Sequence, residues 1–154
     1  MKSTIILAFD QHAATTVAAV LLPGQRTSAL HPLTSDSATI VRFVERVRRQ
    51  GAVHCCYEAG PCGFELQRAL SARSIPCDVI APALIPRRPG DRIKTDRRDA
   101  SQLAILYRAG ALTPIHIPTD QEEAARDLLR CREDIRAESQ PCPHPDGLVS
   151  RVRA

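Results

Sequence analysis

The run Ile5-Ile6-Leu7-Ala8-Phe9 restricts the possible folds of this 154-residue chain more than any other feature. Five consecutive apolar residues are typical of a β-strand that is buried on both faces. Such a strand requires a layer of structure on each side of its sheet, and helices usually form those layers. A chain of this length can bury roughly 68–70% of the surface that it exposes when unfolded, which is enough for such a core. The sequence therefore predicts an α/β domain.

Apolar periodicity extends this prediction through the first half of the chain. Strands are predicted at Thr4–Phe9, Thr15–Leu22, Arg26–Leu30, Ala52–Glu58 and Cys77–Ala81. Helices are predicted from Ser35-Asp36, either of which suits an N-cap, to Gly51, and from Phe64 to Ser74. The order β-β-β-α-β-α-β predicts a mixed sheet flanked by helices.

The second half of the chain is less regular. The stretch from Pro82 to Lys94 is rich in Pro and Arg, and we expect no regular structure there. A helix is predicted from about Thr95-Asp96, with Ala100, Leu103, Ala104 and Tyr107 on one face. Thr119-Asp120-Gln121-Glu122 is a capping-box pattern and opens a charged helix that runs to about Glu138. We therefore expect a main domain at 1–118, the start of a helical extension at 119–138 and an irregular, disordered tail at 139–154.

Several classes of protein are excluded by the composition. No apolar run approaches the roughly 18 residues of a membrane span, and the N-terminus does not resemble a secretory signal. The six cysteines show no paired C-x-x-C spacing, so we interpret them as buried, reduced thiols rather than zinc ligands or disulfides. These features favour a soluble, cytoplasmic protein with no membrane partner.

The charge balance is compatible with a polyanionic partner. The chain has 19 Arg and 2 Lys against 17 acidic residues, for a net charge of +4, although an Arg-rich proteome would produce the same bias. Aromatic residues make up only 3% of the sequence and Trp is missing, which argues against stacking of single-stranded bases. Any contact with nucleic acid is therefore expected to run from Arg to backbone phosphates.

Four carboxylates occupy positions from which they would converge. Asp10 ends the first predicted strand and Glu58 the fourth, and ligands gather at the ends of adjacent strands in such sheets. Asp96 and Asp99 lie three residues apart on the face of a predicted helix that continues its apolar stripe, so both would point at the sheet. Four converging acids repel one another without a cation, which favours two Mg²⁺ ions, with Mn²⁺ as a substitute. Each aspartate alone also suits a turn or a helix cap. We interpret the set as catalytic residues and metal ligands for phosphoryl transfer.

Basic residues crowd the segment around the last two of these carboxylates. The segment contains Arg87, Arg88, Arg92, Lys94, Arg97 and Arg98. Elsewhere in a chain such a run is usually a solvated loop. Beside a phosphoryl-transfer centre we interpret it as a nucleic-acid-binding segment that holds phosphates. His12, His54 and His116 are scattered along the sequence, and we interpret them as structural.

Three strings in the sequence also resemble a known family. They are FDQHAATTVAAVL, YEAGPCGFELQRAL and VIAPALIPRRPGDRIKTDRRDASQLAILYRAGAL. Together they resemble the DEDD-type insertion-sequence transposases, the family that includes the Piv site-specific invertase. The resemblance covers the span from Ile5 to Arg136, and its most specific part is the K-T-D-x-x-D-A segment.

The resemblance implies an RNase H-like catalytic domain similar to the RuvC Holliday-junction resolvase. Its four acids would correspond to Asp10, Glu58, Asp96 and Asp99, the set already reached from the residues. It also implies Mg²⁺-dependent strand transfer on DNA, homo-oligomers and, in some members, a structured guide RNA from the element.

The chain departs from the family after Arg136. Family members continue into a long helical segment and a second domain that supplies a serine used in strand exchange, whereas this chain loses helical period and becomes Pro-rich. We expect a truncated or frameshifted end and a domain that cannot complete recombination alone. The alternative is a catalytically inactive nucleic-acid-binding remnant that assembles with full-length relatives. An actin-like nucleotide-binding domain shares the β-β-β-α-β opening but would need glycine-rich phosphate loops, which the sequence after Asp10 does not provide.

Overall fold

The computed structural model describes residues 3–60, 62–86 and 96–138, without the side chains of residues 96–98, 120, 137 and 138. Its strands are β1 (Ile5–Gln11), β2 (Thr15–Leu21), β3 (Ala29–Thr34), β4 (Val53–Glu58) and β5 (Cys77–Ile80). Its helices are α1 (Ser37–Arg48), α2 (Glu65–Ser71), α3 (Asp96–Arg108) and α4 (Asp120–Glu138). A short 3-10 helix covers Pro82–Leu84. The predicted element order is confirmed.

The five strands form one mixed sheet in the order β3-β2-β1-β4-β5. The first three strands are antiparallel neighbours, whereas β4 lies parallel to β1 and β5 parallel to β4. This is the strand arrangement of the RNase H-like fold, and the predicted α/β class is confirmed. β1 lies at the centre, which explains why its apolar run must be buried on both faces.

Side chains of β1 alternate between two apolar clusters, one on each face of the sheet. Ile5, Leu7 and Phe9 belong to the cluster that α1 and α2 cover, whereas Ile6 and Ala8 belong to the cluster that α3 covers. We call these the α1–α2 face and the α3 face. Successive side chains in a strand point to opposite faces, so the residues of each strand divide alternately between these two faces.

Both edges of the sheet carry features that discourage further pairing. Pro32 lies in the edge strand β3, where the missing N–H is tolerated. On the other edge, Pro114 bridges to Ile80, and the Ile115 N–H donates to the Val79 carbonyl at 2.8 Å. The chain after α3 therefore covers the outer edge of β5.

Several predicted boundaries are wrong. The third strand lies at Ala29–Thr34 rather than Arg26–Leu30, and α2 ends at Ser71 rather than Ser74. Part of the stretch expected to be irregular forms the 3-10 helix at Pro82–Leu84. The expected tail at 139–154 lies outside the described residues.

Two compact units divide the chain, one from Met1 to Ile117 and one from Pro118 to Ala154. In the second unit the capping box forms as the sequence predicts. The Thr119 N–H donates to Glu122 Oε2 at 2.7 Å, and the Glu122 N–H donates to Thr119 Oγ1 at 3.3 Å. Within α4, Leu128, Leu129 and Ile135 are 73%, 56% and 66% exposed. This unit therefore carries an apolar helix face that the described residues leave open.

The described cysteines are free thiols. Cys55, Cys56 and Cys77 are buried, as predicted, but Cys131 is exposed on α4, so the prediction is wrong for that residue. Cys62 is half-buried, and Cys142 lies outside the described residues. Among the helices that the structure describes, none has both the length and the apolar character to cross a membrane.

Candidate functional site

Asp10 and Glu58 lie side by side at one edge of the α3 face. β1 and β4 are parallel and in register, with Phe9 opposite Tyr57, so the next residue of each strand is a carboxylate. Asp10 continues the alternate positions of Ala8, and Glu58 continues those of Cys56, which both point into the α3 cluster. Both acids are half-buried. The sheet therefore presents two carboxylates together where its parallel strands end.

Helix α3 packs on this same face of the sheet, mainly over β1 and β2. Near its C-terminal end, Tyr107 contacts His54 and Asp78, which lie near the starts of β4 and β5. Asp99 lies eight residues before Tyr107, about 12 Å along the helix axis.

Asp99 is a third carboxylate on the side of the sheet that α3 covers. It directly precedes Ala100 and lies one turn before Leu103, both of which are buried against the sheet. Its Oδ2 atom is buried, and the residues that the structure describes give it no hydrogen-bond partner. A buried carboxylate oxygen without a partner is costly, so its position requires an explanation beyond packing.

His12 lies closer to the candidate site than sequence reasoning expected. Its Nε2 atom is 3.4 Å from Asp10 Oδ2, and its ring is about half exposed. Its carbonyl accepts from Ser35 Oγ at 2.5 Å and lies 3.9 Å from the Cys62 thiol. The tight turn between β1 and β2 brings His12 close to Asp10. The separation of only two residues in the sequence could have indicated this proximity.

A second polar cluster lies at the other end of α3. The Tyr107 hydroxyl donates to Asp78 Oδ2, and His54 Nε2 lies 3.5 Å from the same oxygen. The rings of His54 and Tyr107 meet edge to face with centroids 5.3 Å apart. Burial raises the pKa of the Tyr107 hydroxyl, and the bond to Asp78 raises it further, so the hydroxyl remains a donor at neutral pH. Sequence reasoning missed this cluster because it depends on the register of β4 and β5.

The structure does not describe the side chains of the remaining predicted site residues. Asp96 is the first residue of α3, three before Asp99, but its side chain is outside the described part. Arg97 and Arg98 are also in α3 with undescribed side chains, and Arg87, Arg88, Arg92 and Lys94 lie outside the described residues. The four-carboxylate set and the basic segment therefore stay predictions.

The described donors suit a hard divalent cation in their chemistry. Asp10, Glu58 and Asp99 offer only oxygen, the ligand that Mg²⁺ prefers, and Asp99 Oδ2 is a buried acceptor still to be satisfied. Among the described side chains, no group of three or more His, Cys, Asp or Glu is close enough to hold a metal. Any complete metal site therefore needs a further ligand or a closer approach of these three carboxylates.

A match to a family model establishes how this chain is related to known proteins. The model of the IS110-type DEDD transposases, described simply as transposase, matches residues 7–140. The chain belongs to this family. The match includes all four predicted carboxylates and the whole sheet except the first residues of β1.

Individual relatives agree with the family. The transposase for insertion sequence element IS1533 of Leptospira borgpetersenii is 34% identical over 139 residues, which cover 88% of this chain and 40% of that protein. A Sinorhizobium fredii protein, y4qE, whose name also assigns it to the transposases, is 55% identical over 80 residues, 52% of this chain and 20% of its own length. This transposase-family chain thus spans well under half the length of these relatives.

One solved structure is also similar. The catalytic core domain of BIV integrase is 10% identical, with a TM-score of 0.36, and the similarity covers 71% of this chain and 65% of that one.

Proposed function

We propose that this chain carries a metal-dependent catalytic site for phosphoryl transfer on DNA, with Asp10, Glu58, Asp96 and Asp99 as ligands of two Mg²⁺ ions. The observation that carries the proposal is the buried Asp99 Oδ2, which has no hydrogen-bond partner among the described residues and belongs to the helix that covers the sheet face of Asp10 and Glu58. Membership of a transposase family makes DNA the expected substrate. A DNA substrate and free thiols fit a cytoplasmic protein.

Each carboxylate would act from a rigid support. Asp10 and Glu58 are fixed by neighbouring parallel strands, and Asp99 by a helix packed closely through Ala100 and Ala104. Paired divalent cations would supply activation of the attacking oxygen and stabilisation of the leaving oxygen of a phosphodiester. The protein's part is to hold its oxygens in place before the metal binds, which reduces reorganisation during the reaction.

The basic segment is proposed to hold the DNA backbone beside these carboxylates. Its members are Arg87, Arg88, Arg92, Lys94, Arg97 and Arg98. Arg and Lys contacts to phosphates would position the substrate without reading its sequence. A structured guide RNA, implied by the family resemblance, would then supply the sequence information.

Self-association is proposed through the second unit. Leu128 and Ile135 lie seven residues apart on α4, and with Leu129 they form an exposed apolar face. A helix with such a face gains stability by burying it against another helix. A homo-oligomer is the simplest arrangement that provides that helix.

Complete strand exchange is proposed to need more of the protein than the part that aligns with this chain in the matched relatives. The matched relatives are more than twice as long as their aligned parts, and the family resemblance implies a serine in a second domain. Strand exchange by this chain alone would contradict the proposal.

A metal titration with matched variants tests the site. Mn²⁺ at 100 times its Kd should raise the free energy of unfolding of the wild type by about 2.7 kcal/mol. Glu58→Gln should lose most of that stabilisation, because the amide is a weaker ligand than the carboxylate. Glu65→Gln, which alters an exposed residue of α2 on the other face, is the control and should keep it.

Cleavage of branched DNA separates catalysis from binding. Metal-dependent cleavage that Glu58→Gln abolishes would support the enzyme. Metal stabilisation without cleavage would favour the alternative, an inactive binding remnant that assembles with full-length relatives. Equal metal stabilisation of the wild type and both variants would contradict the site itself.

A further inference from the structure

Most of the first-unit arginines whose side chains the structure describes lie on the helical layer opposite the carboxylates. Up to Ile117 the structure describes the side chains of eight arginines, and six of them lie on or directly after α1 and α2. They are Arg42, Arg46, Arg48, Arg49, Arg68 and Arg73. Only two acidic residues, Glu45 and Glu65, lie in the same two helices.

Their spacing on α1 creates a continuous stripe. Arg42, Arg46 and Arg49 follow one another at intervals of four and three residues, so they share one face of the helix. All three are exposed, because the opposite side of α1 is buried through Ile40, Val41, Val44 and Val47. The stripe is about 10 Å long. About three phosphates of one DNA strand span that length, at 3.4 Å of rise for each.

Local contacts keep the stripe positively charged and hold its flank in place. Glu45, which interrupts the stripe, forms an ion pair with Arg73, whose Nε lies 3.4 Å from its Oε1. Arg48 Nη1 donates to the Arg73 carbonyl at 3.1 Å, which ties α1 to the end of α2. Among the described residues, no carboxylate forms an ion pair with Arg46 or Arg49. Arg42 Nη2 donates to Thr39 Oγ1 at 2.9 Å, and together with the hydrogen bonds from Thr39 its charge lowers the pKa of the nearby Asp36. Glu45 is thus paired outside the stripe, and Arg46 and Arg49 remain available for a phosphate.

Helix stability explains only part of this arrangement. Arg46 and Arg48 lie in the last turn of α1, where a positive charge favours the helix dipole. Arg42, near the middle of the helix, gains no such benefit.

We propose that Arg42, Arg46 and Arg49 form a second nucleic-acid-binding surface, which grips a phosphodiester backbone. Arginine suits this task because its planar guanidinium matches phosphate geometry. The stripe lies on the α1–α2 side of the sheet, whereas Asp10, Glu58 and Asp99 lie on the α3 side. It therefore contacts a different stretch of nucleic acid from the one presented to the carboxylates. The proposal goes beyond the catalytic site and does not depend on it.

Salt-dependent binding of the full chain tests the surface. The probes are a labelled DNA duplex and an RNA duplex of the same sequence, measured by fluorescence anisotropy over a range of KCl. Arg42→Gln/Arg46→Gln/Arg49→Gln should lower the slope of log affinity against log salt by about 2 to 3, since each lost phosphate contact removes about 0.9. At about 100 mM salt, affinity should fall at least 10-fold. If the affinity for one of the two duplexes falls more than the affinity for the other, that duplex shows whether the stripe binds a DNA or an RNA backbone.

Two controls make the result decisive. Arg130→Gln/Arg132→Gln/Arg136→Gln removes the same charge from exposed positions of α4 and should leave the slope nearly unchanged. Arg42→Lys/Arg46→Lys/Arg49→Lys keeps the charge and should restore most of the slope. Retention of the Mn²⁺ stabilisation by the glutamine variant separates this surface from the catalytic site. An unchanged slope, an equal loss in the α4 control, or no binding of either duplex by the wild type would overturn the proposal.

Discussion

Asp99 combines two properties that rarely occur together in a residue kept only for stability. Its Oδ2 is buried and lacks a described hydrogen-bond partner, and a buried polar atom in that position is costly. We therefore expect Asp99→Asn to raise the free energy of unfolding without metal, by on the order of 1 kcal/mol. The same change should remove most of the stabilisation by Mn²⁺. Chemical denaturation with and without the metal measures both effects.

Asp78→Asn is the matched control on the same face. Asp78 accepts from the Tyr107 hydroxyl and lies 3.5 Å from His54, so its charge is compensated. Its amide variant should lose stability and keep the metal effect. If Asp99→Asn destabilises the metal-free protein as Asp78→Asn does, Asp99 is a structural residue.

Tyr107 is expected to act at a distance from the carboxylates that it helps to position. Its hydroxyl ties the C-terminal part of α3 to β5, while Asp99 lies eight residues earlier on the same helix. Tyr107→Phe should cost about 1.5–3 kcal/mol, because the acceptor is charged. It should also weaken Mn²⁺ binding, since α3 loses a directional contact with the sheet.

Tyr57→Phe separates that effect from a general loss of stability. The Tyr57 hydroxyl donates to the Gly63 carbonyl at 3.0 Å from the α1–α2 face. Its loss should reduce stability by about 1 kcal/mol and leave the Kd for Mn²⁺ unchanged. Equal weakening of metal binding in the two variants would show that Tyr107 has no positioning role.

The sequence predicts some of these residues and misses others for a physical reason. Asp10 and Glu58 are predictable because each comes at the end of a largely apolar run, and the ends of such runs can be located without knowing how the strands pair. His54 and Asp78 are separated by 24 positions and meet Tyr107 only because β4, β5 and α3 are aligned. That alignment is set by packing, which single residues do not reveal.

At the scale of the elements, the N-cap of helix α1 can be tested by the pH dependence of stability. The Asp36 side chain accepts from the Thr39 N–H and the Thr39 hydroxyl, both at 2.8 Å, and these bonds lower the pKa of Asp36. A lowered pKa in the folded state gives stability that is present above the unfolded pKa near 3.9 and is lost as pH falls through the folded pKa. The wild type should therefore be more stable than Asp36→Asn at pH 6, and the difference should decrease as the pH falls below about 3.9.

Asp36→Ala provides the comparison. Asn keeps a cap oxygen for Thr39, whereas Ala removes it, so Ala should be less stable than Asn at every pH. Thermal unfolding of the three proteins between pH 2.5 and 7 measures the order. A wild-type advantage over Asn that persists at the acid end would contradict the assigned role of the carboxylate.

Element boundaries were predicted well where caps or long apolar runs define them. Asp36 and the capping box at Thr119 both form as expected. The third strand was misplaced because β3 is an edge strand with only half-buried or exposed residues. Its position depends on pairing with β2, and an edge strand carries little apolar signal of its own.

For the whole molecule, family and fold were accessible from the sequence, whereas the arrangement of charge was not. The stripe of Arg42, Arg46 and Arg49 looked like an ordinary solvated helix face until the sheet placed it opposite the carboxylates. Among the described residues, the first unit thus places Asp10 and Glu58 on one face of the sheet and the arginine stripe on the other. A nucleic acid that contacts both faces must extend around the domain or arrive as two segments.

The reactivity of its cysteine thiols can show whether the first unit unfolds cooperatively. Cys55, Cys56 and Cys77 line the interior of β4 and β5, and burial raises the pKa of Cys55 to about 12 and those of the other two well above the usual range. Alkylation requires the thiolate and access to it. At pH 8 we therefore expect iodoacetamide to modify Cys131 rapidly and Cys62 at an intermediate rate. The three sheet thiols should react together, at the rate set by global unfolding of the unit.

Mass spectrometry of alkylated peptides in increasing urea measures these rates separately. If the sheet opens as one unit, the free energies obtained from Cys55 and Cys77, which are paired across β4 and β5, should agree with each other and with the value from circular dichroism. Cys77 belongs to the strand farthest from β2, so it would react first if β5 frayed alone. Modification of Cys77 at the rate of Cys131 in the absence of urea would show that β5 is not part of the cooperative core. In that case Asp78 and Tyr107 could not fix the position of α3.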